Sequence, residues 1–192
     1  MGPPHHRTRR ARCRRAVVAA ALSLAGGLLS ACTGDDDGAT TAGGLTVGGL
    51  ETVSPTVPDG SVAGLSFMDF DGKEGTFEQF VGKPLVVNFW GSWCTPCIKE
   101  MPDFEAVHQA LGDAVSFVGV NVQDTVADAS KMAELTGVTY PLVRDPRNEL
   151  LAWFGGAGMP TTAFVNADGR VVEVVSKQLS PEALRAEIEA IR

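Results

Sequence analysis

From residue 84 onward, hydrophobic positions fall into short unbroken runs separated by segments of helical character. "PLVVNFW", residues 84–90, and "VSFVGVNV", 115–122, are apolar runs that predict strands. Between them "GSW", 91–93, makes a turn, and "PCIKEMPDFEAVHQAL", 96–111, predicts a helix. Pro96 then falls in the first helical turn, where its missing N–H leaves nothing unsatisfied. "VADASKMAELTG", 126–137, predicts a helix closed by Gly137, and "YPLVRD", 140–145, a short strand. "PRNELLAWFG", 146–155, predicts a helix beginning at Pro146. "TTAFVNADGRVVEVV", 161–175, predicts a hairpin turning at "ADG", and "SPEALRAEIEAIR", 180–192, a final helix with Ser180 as its N-cap. Strands and helices alternating in this way make a βα domain.

The first third of the chain has a different pattern. Residues 1–15 carry six arginines and no acid, and "AVVAAALSLAGGLL", 16–29, is an apolar run too short for a comfortable membrane span. A basic region followed by such a run reads as a secretory signal. "TGDDDGATTAGGLTVGG", 33–49, contains little to bury and reads as a flexible tether continuing to about Gly60. The folded domain is then 61–192, long enough for one solid core. The junction "LSAC", Leu29 to Cys32, resembles the lipobox of bacterial lipoproteins. That resemblance implies that Cys32 is acylated and becomes the first residue of the mature protein, tethered to the outer face of the cell membrane. The expected organisation is a signal over 1–31, a lipidated linker over 32–60 and one domain over 61–192.

Charge changes the picture once the signal is removed. The signal holds six of the 16 basic residues and none of the 23 acidic ones, leaving ten against 23, a net of −13. So acidic a chain argues against nucleic-acid binding, which needs basic patches. It is also repelled by anionic head groups, so the lipid has to do the anchoring.

Four cysteines in an exported protein suggest two disulfides. Here Cys13 leaves with the signal and Cys32 takes lipid, so the domain keeps only Cys94 and Cys97. A bridge closing so small a loop removes little entropy from the unfolded chain, which makes the pair a poor structural staple. An oxidising compartment suits a redox pair better. Cys94 precedes the helix that starts near Pro96, so its sulfur faces unsatisfied N–H groups and the positive end of the helix dipole. Both lower a thiol pKa. Cys94 is therefore the expected nucleophile, and Cys97, one turn inside, the resolving thiol. Residue 98 is isoleucine, which removes the CxxCH of haem attachment. Gly91 and Val87 stand where a peroxiredoxin site would want threonine and proline. His108 is the only histidine after the signal, so a multi-histidine metal site cannot form and no metal is expected.

The segment "FWGSWCTPCIKEMP", 89–102, closely resembles the active-site segment of the thioredoxin superfamily, and in particular its exported TlpA/ResA-like branch. "GMPTTAFV", 158–165, resembles that family's cis-proline loop with Pro160 in the cis place, and Pro102 matches the proline inside the active-site helix. "GLSFMDFDGKEGTFEQFVGKPLVVNFW", 64–90, looks like the branch's N-terminal hairpin and lead-in. The implied architecture is an α/β thioredoxin-like fold: a central mixed β-sheet flanked by helices, an N-terminal β-hairpin and a central helix/strand insertion. The substrate-facing residues implied are Trp93, Thr95, Pro96, Met159 and cis Pro160. Glu100, on one helical face with Cys97, is the expected proton carrier, because Asn88 replaces the buried aspartate of thioredoxin and cannot act as a base.

The expected activity is thiol–disulfide exchange with no cofactor beyond the Cys94–Cys97 disulfide. The resemblance implies the reducing direction. Electrons would come from a membrane thiol carrier of the CcdA or DsbD kind and pass to disulfides of exported proteins, apocytochrome c being one candidate, with a monomer as the default state. The same chemistry run backwards would make a disulfide-forming oxidase. A Cu(I) carrier using Cys94, Cys97 and Met159 is the reading from another class.

Overall fold

The computed structural model describes residues 58–192, so the signal, Cys32 and most of the tether lie outside it. Seven strands form one mixed sheet: β1 (Ser66–Met68), β2 (Glu74–Thr76), β3 (Leu85–Trp90), β4 (Ser116–Val122), β5 (Leu142–Asp145), β6 (Thr161–Val165) and β7 (Val171–Val175). Their order across the sheet is β2-β1-β5-β4-β3-β6-β7. The three central strands β3, β4 and β5 run parallel, while β1–β2 and β6–β7 are antiparallel hairpins at the two edges. Three α-helices lie between strands, α1 (Thr95–Leu111), α2 (Val126–Thr136) and α3 (Glu149–Trp153), and a fourth, α4 (Pro181–Ala190), follows β7. This is the expected fold: a central mixed sheet flanked by helices, β1–β2 as the N-terminal hairpin, and α2, β5 and α3 filling the stretch between β4 and β6, the place of the expected helix and strand insertion.

Every residue of β3 is buried, because both faces of the sheet are covered there. Alternation then sorts its side chains. Val87 and Phe89 join one core with Phe77, Phe80 and Phe154, whereas Val86 packs with Phe104 and Val107 of α1 and Leu184 and Ile188 of α4. Asn88 shares parity with Val86 and Trp90, which points it at α1. That single polar position in an apolar strand is where the site begins.

β4 carries Gly119 at a crowded place. A Cβ there would lie 2.5 Å from Leu142 Cδ2 and 3.1 Å from both Trp90 Nε1 and Tyr140 Cε2. Gly119→Val should therefore cost about 1–3 kcal/mol by overpacking, read as a lower urea midpoint with an unchanged slope. An unchanged midpoint would show that Trp90 and Tyr140 yield more easily than their burial implies.

The helix expected at Pro146 begins instead at Glu149. Asn148 takes a left-handed conformation (φ 62°), which ends any helical run through 146–148. The cap comes from further back. Asp145, the last residue of β5, accepts from the backbone N–H groups of Glu149 (2.9 Å) and Leu151 (3.0 Å). The other ends behave as their sequences require: α2 stops at left-handed Gly137, and Ser180 caps α4 by accepting from Ala183 N–H.

Candidate active site

The parallel strand β3 ends at Trp90, and the chain then turns through Gly91–Trp93 to deliver Cys94 as the N-cap of α1. Cys94 and Cys97 form a disulfide with Cα atoms 5.3 Å apart, and Cys94 Sγ accepts a hydrogen bond from Cys97 N–H at 3.3 Å. A free N–H at a helix start is thus aimed at the sulfur, the arrangement that stabilises a thiolate. Cys94 is 4% exposed and Cys97 fully buried, so a partner reaches Cys94 first. Thr95 is exposed and Pro96 half-buried. Trp93 is 55% exposed beside them, the most accessible aromatic of the site, while Trp90 is wholly buried.

The turn is fastened to the end of β4 by contacts that the sequence did not announce. Asp124 accepts from Ser92 N–H (2.6 Å), Ser92 Oγ (2.8 Å), Asn121 Nδ2 (3.1 Å) and Thr125 N–H (3.1 Å). Burial pushes its carboxyl up, but these donors together outweigh burial and hold it below the usual range. Trp93 Nε1 donates to Val122 O at 3.3 Å, and the indole lies so close over Gly91 that a Cβ there would sit 2.7 Å from its nitrogen. In sequence Asp124 reads only as an acid next to the α2 cap Thr125.

Glu100 is completely buried beneath the disulfide turn. One carboxylate oxygen accepts from Asn88 Nδ2 (3.1 Å), the other from Leu179 N–H (3.1 Å). Burial drives its pKa from 4.5 up to about 7, against the pull of the Leu179 and Asn88 bonds, with a small push from Asp103. Asn88 Oδ1 is buried with no partner. The same amide can therefore donate through Nδ2 to a carboxylate or, turned over, accept through Oδ1 from a carboxylic acid. Glu100 is thereby provided for in both protonation states. Those two states are what a group passing a proton to a cysteine requires.

The second loop of the site comes from the strand that pairs with β3 on the other side. The Met159–Pro160 peptide is cis. Pro160 is buried, and Met159 is half-buried, packed on the cluster formed by Trp90, Cys94, Cys97, Met101 and Ala129. The structure thus gathers Trp93, Thr95, Pro96, Met159 and Pro160 around or beside the Cys94–Cys97 turn. Among the described residues no group of three or more His, Cys, Asp or Glu side chains is arranged to hold a metal. His108 sits apart, half-buried against Phe117 and Tyr140.

A mixed sheet with a CxxC disulfide capping the helix after its central parallel strand, opposite a cis-proline loop, defines a thioredoxin-like thiol–disulfide oxidoreductase. The chain belongs to the Redoxin family, whose profile matches residues 52–190, and is a ResA-like member of it. It is 31% identical over 143 residues to the thiol-disulfide oxidoreductase ResA of Geobacillus thermodenitrificans, covering 73% of this chain and 78% of the relative. Among solved structures, dsbF of MTB, in mixed oxidised and reduced forms, shares 30% identity with a TM-score of 0.63, over 71% of this chain and all of that one. The pneumococcal exposed lipoprotein thioredoxin Etrx1 of Streptococcus pneumoniae shares 25% with a TM-score of 0.57, over 66% of this chain and 98% of the other.

Proposed function

We propose that this oxidoreductase works outside the cytoplasm, held to the membrane by lipid on Cys32, and that it reduces disulfides of exported proteins. The signal-like N-terminus and "LSAC" support the location, as does the likeness to a protein described as an exposed lipoprotein. The domain organisation proposed is that of the sequence reading: signal 1–31, lipidated linker 32–60, catalytic domain 61–192.

The observation that carries the direction is the buried Glu100. A couple becomes a strong oxidant when its reduced form is stabilised as thiolate. Cys94 has the helix N-terminus in its favour, but Cys97 shares its helical face with a buried carboxylate whose hydrogen-bond partners are both neutral. Negative charge there disfavours a second thiolate and so favours handing electrons on. In the reaction Cys94 thiolate attacks the substrate disulfide, forming a mixed disulfide and releasing one substrate thiol. Cys97, losing its proton to Glu100, then attacks Cys94 Sγ, releasing the second thiol and closing the Cys94–Cys97 disulfide. Two electrons have passed to substrate, and a membrane thiol carrier of the CcdA or DsbD kind restores the dithiol. Apocytochrome c is a candidate substrate. The enzyme needs no further cofactor, no metal and no nucleic acid, and works as a monomer.

The reduction potential tests this reading, measured by tryptophan fluorescence in graded thiol buffers. The expected value lies near the roughly −270 mV of thioredoxin. A value near about −120 mV would make the enzyme a disulfide-forming oxidase instead. Absence of any two-electron transition would overturn the redox assignment of the pair and bring back Cu(I) binding.

A further inference from the structure

The loop that carries Met159 is built from residues that do not hold a shape by themselves. Residues 155–158 read Gly-Gly-Ala-Gly, a stretch with more backbone freedom to lose than almost any other four residues. Its beginning is tied to α3, where Gly155 N–H donates to Ala152 O and Gly156 N–H to Leu151 O, both at 3.0 Å. Beyond that point the loop has lost its helix, and Ala157 and Gly158 are exposed. Their hydrogen bonds go to two hydroxyls.

Thr161 Oγ1 lies 2.6 Å from Gly158 O, to which it can only donate. Ser176 Oγ lies 2.9 Å from Thr161 Oγ1, and since the threonine proton is already used, serine is the donor of that pair. Ser176 Oγ in turn accepts from Ala157 N–H at 3.4 Å, the longest link. Each hydroxyl thus gives once and receives once in a directed chain: Ala157 N–H to Ser176, Ser176 to Thr161, Thr161 to Gly158 carbonyl. The pairing register puts Ser176 there. Thr162 pairs with Val175 across β6 and β7, so Ser176 is the position opposite Thr161 just past the end of the ladder. Thr161 is fully buried and Ser176 half-buried, so the chain runs from an exposed first link at Ala157 inward to the buried threonine.

We infer that Ser176, acting through Thr161, is a positioning residue for substrate: it sets the shape of the Gly155–Gly158 loop and hence of the Met159 backbone edge that docks the substrate strand. The inference rests on the reading that substrate pairs with that edge, as extended peptides pair with open strand edges. Ser176 takes no part in the exchange itself, which is confined to the sulfurs and Glu100. Its removal therefore weakens docking of a peptide without slowing attack on a disulfide that has no peptide backbone.

The test uses the full chain, reduced beforehand, in single-turnover exchange with two oxidants: a cystine-bridged peptide and bis(2-hydroxyethyl) disulfide. Ser176→Ala is expected to lower the second-order rate constant for the peptide about fivefold, the effect of one lost hydrogen bond of ordinary strength, and to leave the small disulfide and the reduction potential unchanged. Ser176→Thr, which keeps the hydroxyl, is expected to restore the peptide rate. Equal losses with both oxidants, or no loss with the peptide, would overturn the inference, as would a Ser176→Thr variant no better than alanine. A peptide N-methylated beside its cysteine separates the underlying reading from this one. If wild type takes both peptides equally well, docking at the Met159 edge is wrong. If wild type discriminates but Ser176→Ala matches it on each peptide, the edge is right and the role of Ser176 is wrong.

Discussion

Replacing Cys94 by serine will slow disulfide exchange by at least ~1,000-fold, because the hydroxyl that results is un-ionised where a thiolate was the nucleophile. Cys97→Ser will behave differently. It keeps the sulfur that meets the partner and loses the one that releases it, so the reaction stops at a mixed disulfide. The two variants are told apart by mass spectrometry after mixing with a disulfide peptide under non-reducing conditions: Cys97→Ser gains the mass of one peptide chain, Cys94→Ser does not. The asymmetry follows from placement, since Cys94 caps the helix with a narrow edge still exposed (4%) while Cys97 is sealed one turn in. Neither change should cost much stability, as the bridge spans a sequence separation of only three and constrains the unfolded chain little. A stable adduct on Cys94→Ser and none on Cys97→Ser would reverse the two roles.

The second large effect belongs to Glu100. Its pKa in the folded protein is about 7 against 4.5 for the free group, so between those values the folded state binds more protons than the unfolded one. Stability therefore falls as pH rises from about 4.5 to about 7 and levels off above that. At 1.36 kcal/mol per unit, the loss is about 3 kcal/mol. Glu100→Gln keeps the shape and removes the titration. Its amide oxygen still takes the Leu179 N–H, and its NH2 finds Asn88 Oδ1, now unpaired, if the asparagine amide turns over. Urea unfolding of the oxidised protein at pH 5 and pH 8 should show the wild-type drop and a variant from which about 2–3 kcal/mol of that drop has vanished, pH 5 already lying above the unfolded pKa. Exchange kinetics should lose their inflection near pH 7 in the same variant. A drop of equal size in both proteins would mean that Glu100 does not titrate between pH 5 and pH 8 and exchanges no proton with Cys97 in that range.

What the sequence showed of all this depended on how local the cause was. The strand-then-CxxC-then-helix arrangement, the Gly137 stop and the Ser180 cap are each decided within a few residues and were legible. The start of α3 was not, because its cap is supplied by Asp145 from the strand before and the interval is broken by left-handed Asn148. Glu100 was legible as a candidate by its place relative to Cys97. Its pKa was not, since that depends on complete burial and on a backbone N–H 79 residues away. The Asp124 clamp and the Ser176 chain were invisible for the same reason. Each depends on which strand lies beside which, and a one-residue change of register would remove it.

Pro102 sits inside α1 and offers no N–H, so the carbonyl four residues earlier, Ile98, is released from the helical ladder. The break falls between the turn that holds the cysteines and the apolar stretch, from Phe104 onward, that packs into the core. Thr95 and Pro96, the two residues enclosed by the cysteines, lie on the outer side of that break, exposed and half-buried. Mutation can therefore rewrite the redox turn without disturbing the body of the domain. The potential of the couple is thus open to retuning at two letters, Thr95 and Pro96, while the stretch of α1 from Phe104 onward keeps its contacts with the core.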